Sequence, residues 1–137
     1  MATTTVLANP YIEINNVDYT DQCTSVVVTE RYESLESTSF GGTARKYTAG
    51  LGSHEITVTL MLAYNTAEVE ANLEALVGTQ TSVEVYANGS ATPGATNPKY
   101  TLTDCYFESF TPINASLGTL QTCDLTFTGG TMARAIA

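Results

Sequence analysis

His54 is the only histidine in the chain, and the side chains around it are the first whose types suggest chemistry. It stands in Gly50-Leu51-Gly52-Ser53-His54-Glu55. A zinc-peptidase helix needs a second histidine four residues on, and a dinucleotide-binding turn needs a third glycine with a strand before it; this stretch has neither. Ser53 and His54 are adjacent, and adjacent strand residues point to opposite faces, so they do not make a nucleophile and its base. His54 reads instead as a strand-end histidine hydrogen-bonded to a neighbour. The carboxylates cluster as Glu30, Glu33 and Glu36 and as Glu68, Glu70 and Glu74, without the spacing of a calcium loop. Cys23, Cys105 and Cys123 are odd in number and form no CxxC, which argues against a zinc site and against a secreted disulfide framework. They read as reduced, buried thiols acting as small apolar residues. If the segment around Asn114 is the tip of a hairpin, Cys105 and Cys123 face each other. Asn88-Gly89-Ser90 and Asn114-Ala115-Ser116 fit the glycosylation pattern but read as turn chemistry. No catalytic residue, no metal ligand and no cofactor is expected.

Fourteen acidic residues against five basic ones give a net charge of -9 over 137 residues. Such a chain lacks the basic footprint of a nucleic-acid binder and repels a duplex rather than gripping it, although acidic walls would still let DNA pass. No apolar run approaches the ~20 residues that cross a bilayer. Met1-Ala2-Thr3-Thr4-Thr5 has neither the basic flank nor the apolar stretch of a signal peptide, so the expectation is a protein made and kept in a cytoplasm, with no membrane partner. The length suits one domain, 1–137, able to bury about two-thirds of the surface its unfolded chain exposes.

The elements are organised around residues 54–78. From Ile56 to Tyr64 every second residue is apolar (Ile56, Val58, Leu60, Leu62, Tyr64), while Glu55, Thr57 and Thr59 face the other way, which is a half-buried strand. The period then changes. Val69, Leu73, Leu76 and Val77 share one side of a helix over residues 66–77, capped by Thr66 or Asn65, with Glu68 and Glu70 in its first turn and Gly78 as its left-handed stop. A sheet must cover that helix. Residues 1–10 read as an N-terminal arm or edge strand, 11–19 as a short hairpin turning at Asn15-Asn16, and 22–33 as a strand. Strands follow at 81–87, 99–110 and 120–128, where Cys123, Leu125 and Phe127 lie on one face and Thr122, Asp124 and Thr126 on the other. Residues 88–98 are a low-complexity turn. Gly129-Gly130 reads as the end of the sheet, with 131–137 as a C-terminal tail. Residues 34–53 lack any apolar period and are too long for an ordinary connection. They read as a long inter-strand loop that holds Phe40, Arg45, Lys46 and Tyr47. The fold class is mainly β: a two-sheet β-sandwich or barrel with one flanking α-helix.

This order of parts, with Leu35-Glu36-Ser37-Thr38-Ser39-Phe40-Gly41-Gly42, Gly52-Ser53-His54-Glu55-Ile56-Thr57-Val58-Thr59-Leu60 and Asn97-Pro98-Lys99-Tyr100, resembles the single-domain tail tube (major tail) proteins of long-tailed bacteriophages. The likeness spans roughly residues 10–130. It implies a structural virion protein whose copies form hexameric rings that stack into a hollow tube. The tube first houses a tape-measure protein, meets tail-end proteins, and passes DNA at ejection without binding it specifically. On that reading the polar backs of the strands, Glu55, Thr57, Thr59, Thr122, Asp124 and Thr126, and with them Glu30, are candidates to line the lumen. Phe40, Arg45, Lys46 and Tyr47 are candidates to grip the adjacent ring. Unlike members that carry one, this sequence is expected to have no added immunoglobulin-like domain. Two other readings stand beside this one: another small tail component, such as a tail terminator or the tube of a contractile injection system, and a carbohydrate-binding β-sandwich.

Overall fold

The computed structural model describes residues 10–64, 68–87, 93–94 and 97–136. Nine of the ten residues of the expected N-terminal arm, the expected helix caps Asn65 and Thr66, and most of the turn at 88–98 lie outside them. In chain order the elements are β1 (Tyr11–Ile14), β2 (Val17–Asp18), β3 (Cys23–Thr29), β4 (Tyr32–Glu36), β5 (Tyr47–Gly52), β6 (Glu55–Met61), α1 (Val69–Glu74), β7 (Gln80–Tyr86), β8 (Lys99–Phe110), β9 (Thr122–Thr128) and β10 (Thr131–Ala135). The fold is mainly β, with one large sheet, one two-stranded sheet and one short helix.

The large sheet runs in the order β2-β1-β7-β8-β9-β6-β3, with β10 also paired to β8, and β4-β5 stand apart as a hairpin. Its centre is the pairing of β6 with β9, unbroken from Glu55 opposite Thr128 to Met61 opposite Thr122. Alternation along both strands sends Ile56, Val58, Leu60, Cys123, Leu125 and Phe127 to one side, where all six are fully buried. Ile12 and Ile14 of β1, near the far end of the sheet, belong to the same buried cluster, so the sheet curls round on itself. At the other end β3 shares a cleft of about 510 Å³ with Val85, Tyr86 and Tyr100. The result is a barrel left open beside β3. Phe107 and Phe127 pack with ring centroids 4.7 Å apart, and α1 covers the core with Val69 and Leu73.

Several boundaries differ from expectation. The helix is shorter than 66–77: α1 begins after Glu68 and ends at Glu74, and the N–H groups of Leu76 and Val77 turn back to the Leu73 carbonyl. The chain is drawn off the helix axis because the Gly78 N–H donates to the Phe107 carbonyl, with Gly78 at φ +81°. β6 stops at Met61 rather than continuing to Tyr64, whose hydroxyl donates to the Pro112 carbonyl at 2.6 Å. The strand expected over 22–33 is two strands, broken at Glu30-Arg31, because β3 stays on the large sheet while β4 leaves it. The segment expected as one loop, 34–53, is for the most part the β4-β5 hairpin, with residues 37–46 as its tip. Both of its faces are exposed, so its residues show no alternation to betray strands. The hairpin at Asn15-Asn16 forms as read, its two asparagines at φ +51° and +65°, the left-handed pair that a two-residue turn needs.

Within the segment expected as a C-terminal tail, 131–137, residues 131–135 form a strand. Gly129 and Gly130 bend the chain at φ +76° and +79°, and β10 then continues along β8, from Thr131 opposite Thr103 to Ala135 opposite Lys99. A Cβ on Gly130 would stand 2.3 Å from the Thr103 carbonyl oxygen and 2.9 Å from the Cys105 nitrogen, whereas one on Gly129 would meet nothing within 4 Å. Gly129→Ala should therefore cost only the strain of a left-handed alanine, about 1 kcal/mol. Gly130→Ala adds a backbone collision and should cost at least about 3 kcal/mol. Urea unfolding of the two variants measures the difference, and equal costs would show that the close approach of β10 to β8 is wrong.

The cysteines are free, and Cys105 and Cys123 are buried. They do not face each other. β8 and β9 pair with Phe107 opposite Phe127, so the turn between them centres near Leu117 rather than Asn114, and Cys123 lies opposite Leu60 instead. Burial pushes both thiols up to about 11 from an ordinary value of 9.0. The folded state thus keeps protons that the unfolded state loses near pH 9. Their contribution to stability is complete below pH 9 and declines as the pH rises through 11. The urea midpoint should fall across that window, and less steeply in the Cys105→Ala and Cys123→Ala variants. At pH 8 neither thiol should react with a small disulfide reagent until the protein is unfolded.

Candidate functional site

The register of β3, β6 and β9 lays out a grid on the side of the sheet away from the core. Thr29, Glu55 and Thr128 lie side by side; next come Val27, Thr57 and Thr126, then Ser25, Thr59 and Asp124. Thr122 lies opposite Met61 at the far end. All six residues read from the sequence as polar strand backs are therefore brought onto one face. The Thr59 hydroxyl donates to Asp124 Oδ1 across the strands at 2.9 Å, and the Thr57 hydroxyl donates to Glu55 Oε1 at 3.0 Å. The chain has no lysine or arginine between Glu55 and Glu84, nor between Tyr100 and Ala133, so β6 and β9 bring carboxylates and hydroxyls to this face and no cation. Glu30 is not on the grid; it follows Thr29, exposed, where the chain leaves the sheet. Ser25, Val27 and Thr29 belong to the wall and were missed, because the run Val26-Val27-Val28 hides which valine points inward. The pairing of Val26 with Val58 decides it.

β3 is also the last strand of the large sheet. Cys23–Thr29 carries no charge and no proline, and apart from one bulge after Cys23 it has none of the features that keep an edge strand from pairing with another chain.

The β4-β5 hairpin is the second feature. Phe40 at its tip is wholly exposed, and Leu35, Tyr47 and Leu51 are exposed along it. Arg45 and Lys46 stand at the tip. The Lys46 N–H donates to Thr38 Oγ1 at 2.9 Å and the Ser37 N–H to the Lys46 carbonyl at 2.8 Å, which gives the tip a defined shape. The structure thus places Phe40, Arg45, Lys46 and Tyr47 on one arm. At its base the Ser53 N–H donates to the Arg31 carbonyl, and Tyr32 meets the His54 ring edge-on at 5.1 Å. His54 is buried, and its Nδ1 finds no hydrogen-bond partner among the described residues, contrary to expectation. What holds the ring is packing: Tyr32 lies on it, and a Cβ on Gly52 would stand 2.7 Å from its Nε2. Nothing here aims His54 at Ser53 as a base. Among the described residues no group of three His, Cys, Asp or Glu is arranged to hold a metal ion.

No family model matches the sequence, and no curated protein matches it. Solved structures are. A chain of the anti-feeding prophage cap, which terminates that particle's tube, is 10% identical over 100% of this chain and 95% of its own, with a TM-score of 0.70. A chain of the sheath–tube complex of the extracellular contractile injection system PVC is 11% identical over 98% and 93%, with a TM-score of 0.70. A chain of the tail of an empty gene transfer agent particle, refined with C6 symmetry, is 12% identical over 99% of both, with a TM-score of 0.60. The chain has the fold found in these tubes, caps and tails.

Proposed function

We propose that this chain is the subunit of a tail tube, in which six copies form a ring and rings stack into a hollow cylinder with the β3-β6-β9 wall turned to the lumen. The observation that carries this reading is the wall itself: a cation-free face on β6 and β9, continuous with an edge strand that one bulge after Cys23 interrupts and no charge or proline blunts. Unpaired N–H and C=O groups along β3 are satisfied by the sheet of a neighbouring copy, and each such pairing prolongs the wall into the next subunit. Closed around an axis, the walls make one inner barrel lined by hydroxyls and carboxylates. A polyanion passing through it meets like charge and no phosphate-binding cation, so DNA moves without sticking. Before DNA, a tape-measure protein occupies the lumen, and tail-end proteins close the tube in the virion. The arm bridges to the adjacent ring. Burial of Phe40 and Tyr47 supplies most of that contact, because exposed ion pairs contribute little. The sixfold refinement of the gene transfer agent tail and the tube in the PVC complex support this reading. The likeness to the anti-feeding prophage cap favours a second one, a ring that ends a tube instead of extending it.

Negative-stain microscopy of the concentrated protein separates the two. Rods with an axial hole are expected; single rings would mean a cap, and particles without a central hole would overturn both. Arg45→Glu with Lys46→Glu should slow rod growth, and adding Phe40→Ala should slow it further, with the fold unchanged by circular dichroism. Growth at the wild-type rate in the triple variant would remove the arm from the contact between rings.

The lumen assignment has its own test. Rods of a Thr57→Lys, Thr126→Lys variant should retain nuclease-protected DNA at low salt, while wild-type rods retain none. DNA that binds these rods but stays open to nuclease would put the wall on the outside.

A further inference from the structure

The β6-β9 pair has two ends with different surfaces. At the Glu55 end the β4-β5 arm departs, and the Gly129 N–H bonds to the His54 carbonyl. At the Met61 end lies the connection from β8 to β9, residues 111–121, tied down by Tyr64 on Pro112, by the Leu62 N–H on the Gln121 carbonyl, and by the Asn114 amide on the Thr122 carbonyl. Pinned in this way, the connection still leaves Leu117 fully exposed and Ile113 and Leu120 more than two-thirds exposed. Large apolar side chains held out from a braced loop mark a surface that is covered in use. The start of α1 is at the same end, since the Glu70 N–H bonds to the Ala63 carbonyl, and it adds Glu68 and Glu70. The arm at the opposite end is also apolar at its tip and carries Arg45 and Lys46. The arm carries Glu33 and Glu36 along β4, but its tip, residues 37–46, holds cations and no carboxylate, whereas residues 111–121 with the start of α1 hold carboxylates and no cation, and both surfaces expose apolar side chains.

We infer that the surface formed by residues 111–121 and the start of α1 is the receptor for the arm of a second copy, so that subunits in successive rings join head to tail through two unlike surfaces. This rests on the stacked-ring reading and adds the missing half of its contact. The second copy is the fitting occupant because the apolar and charged groups match in kind at opposite ends of one chain. A contact between unlike surfaces leaves an unused arm at one end of the stack and an unused receptor at the other, and so propagates without limit.

Two variants test it. One loses the arm's grip (Phe40→Asp, Arg45→Glu); the other loses the receptor (Leu117→Asp, Leu120→Asp). All four substituted side chains are solvent-facing or at the tip, so both variants should keep the wild-type unfolding midpoint. Each alone should stop at single rings, with the critical concentration for rods raised at least about tenfold, as expected from losing a buried large apolar side chain. Mixed as preformed rings, they should give paired rings and nothing longer, because one good arm surface and one good receptor make one joint; sedimentation velocity reads the doubling of mass. Rods from the receptor variant at the wild-type concentration, or a mixture that stays as single rings, would overturn the inference. If the wild-type protein forms no rods, the tube reading falls with it; if wild-type and receptor-variant chains both form rods, only the receptor assignment falls.

Discussion

Seven consecutive residue pairs between β6 and β9 decide what this protein shows to its surroundings. A slip of one residue in that pairing would send Phe127, Leu125 and Cys123 outward and bury Thr126 and Asp124 in their place. The register is held by the core side, where Phe107 packs on Phe127 and where Ile56, Val58 and Leu60 are completely enclosed. The polar wall is thus a by-product of hydrophobic packing. Thr59 and Asp124 add a hydrogen bond across the strands, but which way the wall's side chains point is set by the inward packing of the residues between them.

The arm stands in the opposite relation to the core. It is a two-stranded sheet with water on both faces, and an isolated hairpin of this size is marginal in stability. Its base supplies what rigidity it has: His54, enclosed by Tyr32 and the bare backbone of Gly52, anchors both of its strands to the start of β6. A larger residue at 52 would compete with the imidazole for the same space. The exposed aromatic and aliphatic side chains further out, Phe40, Tyr47 and Leu51, stand clear of the core cluster.

How much of this was legible in the sequence follows from where each segment buries its side chains. β6 and β9 have one wet face and one dry one, so their period of two appears directly, and with it Glu55, Thr57, Thr59, Thr122, Asp124 and Thr126. β8 was bounded as it stands, 99–110. β4 and β5 have no dry face; their residues follow no alternation, and only their pairing with each other makes them strands. β10 was missed because two successive glycines look like a stop, and nothing local shows that Thr103 and Cys105 approach so closely that only glycine fits. The β8-β9 register was misplaced by about three residues: Asn114 was read as the tip, while Gly118, at φ +78°, takes the left-handed turn and Asn114 braces the strand end. The helix was placed correctly by Val69 and Leu73 but drawn too long, since periodicity continues into a turn that hydrogen bonds to β8 have already unwound.

The order in which the strands are made differs from the order in which they lie. β9 is synthesised after every other member of the large sheet except β10, yet it sits between β6 and β8. Before it is made, the other strands can pair only as two unjoined pieces, β3-β6 on one side and β8-β7-β1-β2 on the other. Neither has a closed core. A chain without β9 therefore has no complete wall, and the pairing that finishes the barrel is of the non-local kind that slows folding. If the chain assembles as proposed, translation acts as a clock: a nascent chain without β9 has no complete wall to extend, so copies join the assembly one finished molecule at a time.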